Sequence, residues 1–170
     1  WPGPEGHWPR WSSSPTLTVP GADAPVEALL ILEEDRAALP AAPDTAGLFH
    51  AALLLPTREA LGRWLRFAQT SGIRFTGLSD HGVSEAIYFS DPDGNGLEFY
   101  ADRPMERWPR EAGKLAMVTL PLDWQNLVAA GDASRVDGPP LEGARWGHFH
   151  LRVTNLDRSE NFYSETLGVT

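Results

Sequence analysis

The run Ala86-Ile-Tyr-Phe-Ser-Asp-Pro-Asp-Gly-Asn-Gly-Leu-Glu-Phe-Tyr-Ala101 constrains the fold more than any other part of the chain. Residues 86–90 and 97–101 are rich in aromatic and branched side chains, which suit a pleated, half-buried surface. Residues 91–96 are all turn formers, several of them tolerant of left-handed backbone angles. The pattern is a β-hairpin. On its second strand the period of two sends Leu97, Phe99 and Ala101 to one face and Glu98 and Tyr100 to the other. Glu98 is therefore either a solvent-facing glutamate on a half-buried strand or a carboxylate held in place for a task.

Asp91, Asp93, Asn95 and Gly96 also match the opening of an EF-hand calcium loop, with Asp102 at the closing position. That motif needs helices on both sides and a closing glutamate that grips with both oxygens. Here both flanks are strand-like and Pro92 interrupts the loop, so turn chemistry accounts for these residues.

Composition narrows the classes of function. A net charge of -9, with no cluster of Lys or Arg, argues against a nucleic-acid partner. There are no cysteines, which excludes disulfides, zinc–thiolate sites and thiol nucleophiles. Any metal must then be held by histidine and carboxylate. Absence of a membrane-length apolar run, and of a basic-then-apolar start, argues against membrane insertion and a signal peptide. With no cysteine the expected location is the cytoplasm. The chain lacks an initiating methionine and stops where a helix has just finished, so it reads as a fragment.

Residues 1–26, with Trp1, Trp8 and Trp11 among many Pro, Gly and Ser, show no periodicity and read as irregular. Residues 27–33 are a short apolar strand, and 48–55 form a second one ended by Pro56. Thr57 is a helix N-cap, with Glu59 in the first turn where the dipole favours negative charge. Leu61, Trp64, Leu65 and Ala68 make one apolar stripe, and the helix stops at Gly72. Residues 102–146 read as an inter-domain linker with a short helix near 123–130. Residues 147–170 then give a strand and a helix again. A shift of 98 residues lays His148 on His50, Leu151 on Leu53, Asn155 on Thr57 and Phe162-Tyr163 on Trp64-Leu65. An internal repeat is the economical explanation.

Taken alone, His50 reads as a packed core histidine, on the same side of its strand as Leu48, Ala52 and Leu54. The repeat alters that reading. A strand-borne histidine recurring in a second module, with a strand-borne glutamate in the first, supplies the 2-His-1-carboxylate ligand set, which suits Fe(II) with positions left open. Mn(II), Zn(II) and Ni(II) accept the same ligand types. His150, two residues beyond His148 and facing the same way, is a substitute ligand or a neighbour of the metal.

The segments Gly47-Leu-Phe-His50-Ala-Ala-Leu-Leu-Leu-Pro56, the block 80–104 and Gly147-His148-Phe-His150-Leu-Arg-Val153 resemble the vicinal oxygen chelate superfamily, which includes glyoxalases, bleomycin-resistance proteins and extradiol dioxygenases. Within it they are most similar to two-domain catechol 2,3-dioxygenase-like proteins. The resemblance implies an α+β fold of βαβββ modules whose curved mixed sheet carries helices outside. One complete module would span 48–101 within a first domain at 27–101, and 147–170 would begin a second domain. It places metal ligands on the first and last strands of modules, at His50, Glu98 and His148. If modules on either side of the linker share a cup, these three form one triad. If each domain makes its own cup, His50 and Glu98 lack their partner in this chain.

The implied chemistry is extradiol cleavage of a catechol-type aromatic diol by O2 at Fe(II). His81, Tyr88 and His150 are acid–base candidates by residue type. Two alternatives belong to the same superfamily. One is a glyoxalase-like lyase or isomerase, which employs a second glutamate; the other is a metal-free, resistance-type protein that sequesters its ligand. An incomplete cup also leads to an expectation of homo-oligomerisation or other association.

Overall fold

The computed structural model describes residues 16–18, 28–39, 41–42, 44–131 and 139–169. They fall into two compact units, Trp1–Leu39 and Pro40–Thr170. In the first unit, β1 (Thr16–Thr18) pairs antiparallel with β2 (Ala28–Ile31). The expectation that residues 1–26 are irregular is thus corrected at Thr16–Thr18, where alternating β-branched residues favour an extended backbone. The reading of Trp1, Trp8 and Trp11 lies outside the described residues.

The second unit is built on β3 (Gly47–Leu54), α1 (Arg58–Thr70), β4 (Phe75–Asp80), β5 (Ser84–Ser90) and β6 (Gly96–Asp102). This is the βαβββ order expected from the sequence. Thr57 caps α1 by accepting from the Ala60 amide, and Leu61, Trp64, Leu65 and Ala68 form its buried stripe. The parallel pairing of β3 with β6 is made possible by the α1 crossover. On the sheet's helix side, the Trp64 ring lies 4.3 Å from Phe99 and 5.2 Å from Phe89. Leu61 and Leu65 are completely buried there, each stabilising the fold by about 1.5–3 kcal/mol.

The hairpin forms as expected, with β5 and β6 in register from Ser84↔Asp102 to Ser90↔Gly96. Its turn is closed internally. Asp91 Oδ1 accepts from the amides of Asp93 and Asn95, and Oδ2 accepts from the Asn95 side chain. These hydrogen bonds account for the acidic turn without calcium.

Residues 102–146 do more than link. They carry a two-stranded ribbon, β7 (Arg110–Glu111) with β8 (Lys114–Leu115), and β9 (Leu120–Pro121), which pairs with β4 at the sheet edge. Then α2 (Trp124–Ala130) packs on α1, with Leu127 fully buried. The two helices approach so closely that a Cβ on Gly62 would overlap the Leu127 carbonyl. Strands of two residues are too short to show a period, which is why the sequence reads there as a connection.

The last strand, β10 (Arg145–Arg152), pairs antiparallel with β3 and completes the order β10-β3-β6-β5-β4-β9. In this pairing Ala51 faces Phe149, His50 faces His150 and Ala52 faces His148. Residues related by the repeat therefore lie symmetrically about the Ala51–Phe149 pair, as a local two-fold axis would place them. After Asn155, which caps it, comes α3 (Leu156–Asn161), continued by a wider turn over Phe162–Thr166. Among the described residues, no helix is long and apolar enough to cross a membrane.

Candidate metal centre and surrounding cavity

Three strands bring one donor atom each to a common point. His50 projects from the middle of β3, Glu98 from β6 beside it, and His148 from β10 on the other side. The His50 and His148 Nε2 atoms are 3.3 Å apart, and Glu98 Oε2 lies 2.9 Å from the first and 3.2 Å from the second. Among the described residues these side chains form a cluster able to hold a metal ion. The shared-cup arrangement, rather than separate cups, is the one adopted.

The donor spacing fits a metal. Three ligands at right angles, each about 2.1 Å from one ion, stand about 3.0 Å from each other. Hydrogen bonding alone satisfies the triangle less well. Both imidazoles can donate to the carboxylate, but their two Nε2 atoms then face each other with no complementary partner between them.

Electrostatics favour the ligand forms of the histidine. Burial, reinforced by the nearby His150 and His148, lowers the pKa of His50 to about 4. Neutral imidazole offers the lone pair that coordination needs. Burial also pushes Glu98 above the usual carboxylate range, opposed by the charge of His148 and a hydrogen bond from Tyr88. Glu98 is only 3% exposed, so the solvent-facing reading is excluded. His148 is less enclosed, with nearly half its side chain accessible.

The three acid–base candidates line the same cavity of about 1040 Å³ as the triad. His81 Nδ1–H donates to the Val118 carbonyl at 3.0 Å, which leaves Nε2 facing the Tyr88 hydroxyl, also at 3.0 Å. That hydroxyl also faces Glu98, so its one proton has two acceptors. Burial and the Glu98 charge raise the pKa of Tyr88, keeping the phenol protonated. His150 packs edge-on against His50, with ring centroids 4.8 Å apart.

Several contributors were not singled out from the sequence. Tyr100 lies two residues past Glu98 on the same face, and its ring packs 5.2 Å from His148. Gly147 sits against that ring so tightly that a Cβ would overlap the Tyr100 hydroxyl. The period of two could have found Tyr100. The cavity wall formed by Met117, Val118 and Thr119 had no sequence signal, because that segment has no regular structure.

Comparison with known proteins bears on His50, His81, Tyr88 and Glu98. A model of the Glyoxalase/Bleomycin resistance protein/Dioxygenase superfamily matches residues 11–99. A curated protein of Bacillus subtilis (strain 168), "Catechol-2,3-dioxygenase", is 45% identical over 144 residues, covering 82% of this chain. The chain spans about half the length of that relative, 49%. No solved structure matches.

Proposed function

The chain belongs to the Glyoxalase/Bleomycin resistance protein/Dioxygenase superfamily, and from that premise we propose that it carries the metal site of an extradiol ring-cleaving dioxygenase acting on a catechol-type aromatic. The observation that carries this reading is the convergence of His50, Glu98 and His148 in a cavity large enough for an aromatic ring. The named activity of the Bacillus subtilis relative supports it.

In this reading His50 Nε2, His148 Nε2 and Glu98 hold a divalent ion, Fe(II) in preference to Mn(II), Zn(II) or Ni(II). When bound, the ion supplies open positions for both hydroxyl oxygens of a catechol and for O2, with Lewis-acid stabilisation of the ionised diol. The chain's own groups handle protons and orientation. His81, fixed through Nδ1 by the Val118 carbonyl, presents Nε2 as the acceptor for a diol proton relayed by the Tyr88 hydroxyl. When its proton points to Glu98 instead of His81, the Tyr88 hydroxyl steadies that carboxylate. His150, beside His50 and lining the cavity, is a second proton acceptor.

Glu98 is the sole carboxylate among the described residues lining the cavity. The test is anaerobic reconstitution with Fe(II), followed by catechols and oxygen. Oxygen uptake with a coloured ring-opened product is expected, and its loss is expected in Glu98→Gln. Isomerase activity with Ni(II) without oxygen, or undiminished ligand binding in a His50→Ala, Glu98→Ala double variant, would sink the reading.

A further inference from the structure

His81 opens the three-residue turn that joins β4 to β5. Both of its main-chain groups are engaged: the amide donates to the Ser84 carbonyl at 2.9 Å, and the carbonyl accepts from the Val118 amide at 3.2 Å. The next residue, Gly82, has a left-handed backbone with φ of 73°, and a Cβ there would press on the Pro109 ring. Gly82 thus gives the turn its shape, and as a glycine it also has the greatest freedom to leave that shape.

Asp80 removes that freedom. Its Oδ1 accepts from the Gly82 amide at 2.8 Å, closing an Asx-turn whose ring contains the backbone of His81. Its Oδ2 accepts from Arg103 Nη2 at 2.7 Å, so the carboxylate cannot rotate without breaking one bond or the other. Arg103 is itself fixed at the main chain, its amide donating to the Val83 carbonyl and its carbonyl accepting from Trp108 Nε1, each at 2.8 Å. The constraint therefore runs from Arg103 through the Asp80 carboxylate and the Gly82 amide to the residue between them. From that residue the imidazole reaches the Val118 carbonyl with Nδ1 and the Tyr88 hydroxyl with Nε2, each at 3.0 Å.

We infer that Asp80 is a positioning residue for the proton transfer at this site: its carboxylate, shared between the Gly82 amide and the Arg103 guanidinium, fixes the turn that aims the His81 ring at the Tyr88 hydroxyl. This inference rests on the proposed role of His81 as the acceptor of a diol proton. Only a carboxylate meets both demands at this position. Asparagine has one oxygen for two donors, and alanine has none. Misplacement of a reacting group by about 1 Å can cost on the order of 100-fold in rate. Loss of the turn should thus be felt at the transferred proton and not at the metal-ligand cluster, to which Asp80 does not belong.

One readout needs neither metal nor turnover. In the metal-free chain, NMR of the ring protons should show a His81 Nδ1–H signal retained against exchange by its bond to the Val118 carbonyl, assigned by its absence from His81→Gln. Asp80→Ala should lose that protection, and Asp80→Asn should keep part of it. The second readout is a double-mutant cycle on the Fe(II)-loaded chain. Asp80→Ala should lower kcat about tenfold with KM for catechol unchanged, as a displaced proton acceptor would, and Asp80→Asn should lose less. In a His81→Gln background Asp80→Ala should bring no further loss of kcat, whereas a merely structural role would lower activity in both backgrounds alike. An unchanged His81 ring signal in Asp80→Ala, or equal losses of kcat in the two backgrounds, would overturn the inference and leave the catechol reading standing. If the unmodified chain turns over no catechol, that reading falls and the inference falls with it.

Discussion

Glu98 and Glu85 show how two glutamates on neighbouring strands acquire different tasks. Both are buried to the same extent, at 3% exposed. Glu85 faces the guanidinium of Arg58 and lies 3.5 Å from that of Arg103, which in turn contacts Asp80 at 2.7 Å. Arg58 also reaches Asn126 on α2, so this cluster ties the start of α1 to β5 and α2. Its charge is compensated by cations, and its role is structural. Glu98 instead faces two imidazoles, one of them held neutral by burial, and so has no fixed counter-charge. Replacing Glu85 with alanine leaves Arg58 with no carboxylate partner and Arg103 with Asp80 alone. Because each is about a third exposed, the cost should be near the lower end for breaking a buried pair, about 3 kcal/mol, as read from urea unfolding. The sequence offers these two glutamates on equal terms, since their partners lie 27 and 48 residues away along the chain.

At the scale of elements, α1 was legible to within a residue or two because every local signal agreed. A Thr N-cap, a first-turn glutamate, an apolar stripe at helical spacing and a terminal glycine all pointed to the same segment. The hairpin was legible for the same reason, its turn residues and strand propensities marking both ends. The segment 102–146 was not, although its helix was: the short helix read near 123–130 is α2, which Asp123 caps and Gly131 ends. What escaped was that the segment folds back to give an edge strand and to seat α2 on α1. That docking depends on two glycines meeting from distant parts of the chain. A methyl group on Gly62 would collide with the Leu127 carbonyl, and one on Gly131 would collide with the backbone of Arg63. Gly62→Ala should therefore cost about 1–3 kcal/mol through overpacking, even though alanine is the better helix former. Chemical denaturation checks the sign: a stabilised variant would show that α2 can move aside freely.

For the second unit as a whole, the sheet is continuous from β10 to β9, and the proposed metal site lies where its β3, β6 and β10 strands run side by side. An ion bound there would cross-link three strands that the chain joins only through α1, the hairpin and the segment 102–146. Binding to the folded state alone stabilises by mass action, about 2.7 kcal/mol when free metal is 100 times the dissociation constant. Addition of Zn(II) should thus raise the melting temperature, and a chelator should reverse the rise. The shift should vanish in Glu98→Gln, which keeps the shape of the side chain but loses its charge. A shift that persists in this variant would place the metal elsewhere.

The sequence by itself determined the module. Strand and helix signals are local, arising from side-chain spacing, caps and turn residues within a few positions, and the repeat at 98 residues exposed the equivalence of His50 and His148. It also restricted any metal site to nitrogen and oxygen donors, through the absence of cysteine. Only the tertiary structure decided which modules share a sheet. The antiparallel pairing of β10 with β3 sets His148 diagonally across from His50, and the parallel pairing of β3 with β6 adds Glu98. Periodicity can give the face on which a side chain lies, but not the strand that will lie beside it. Neighbouring strands are chosen by backbone pairing and burial summed over the whole sheet, and that sum turned three separated residues into one site.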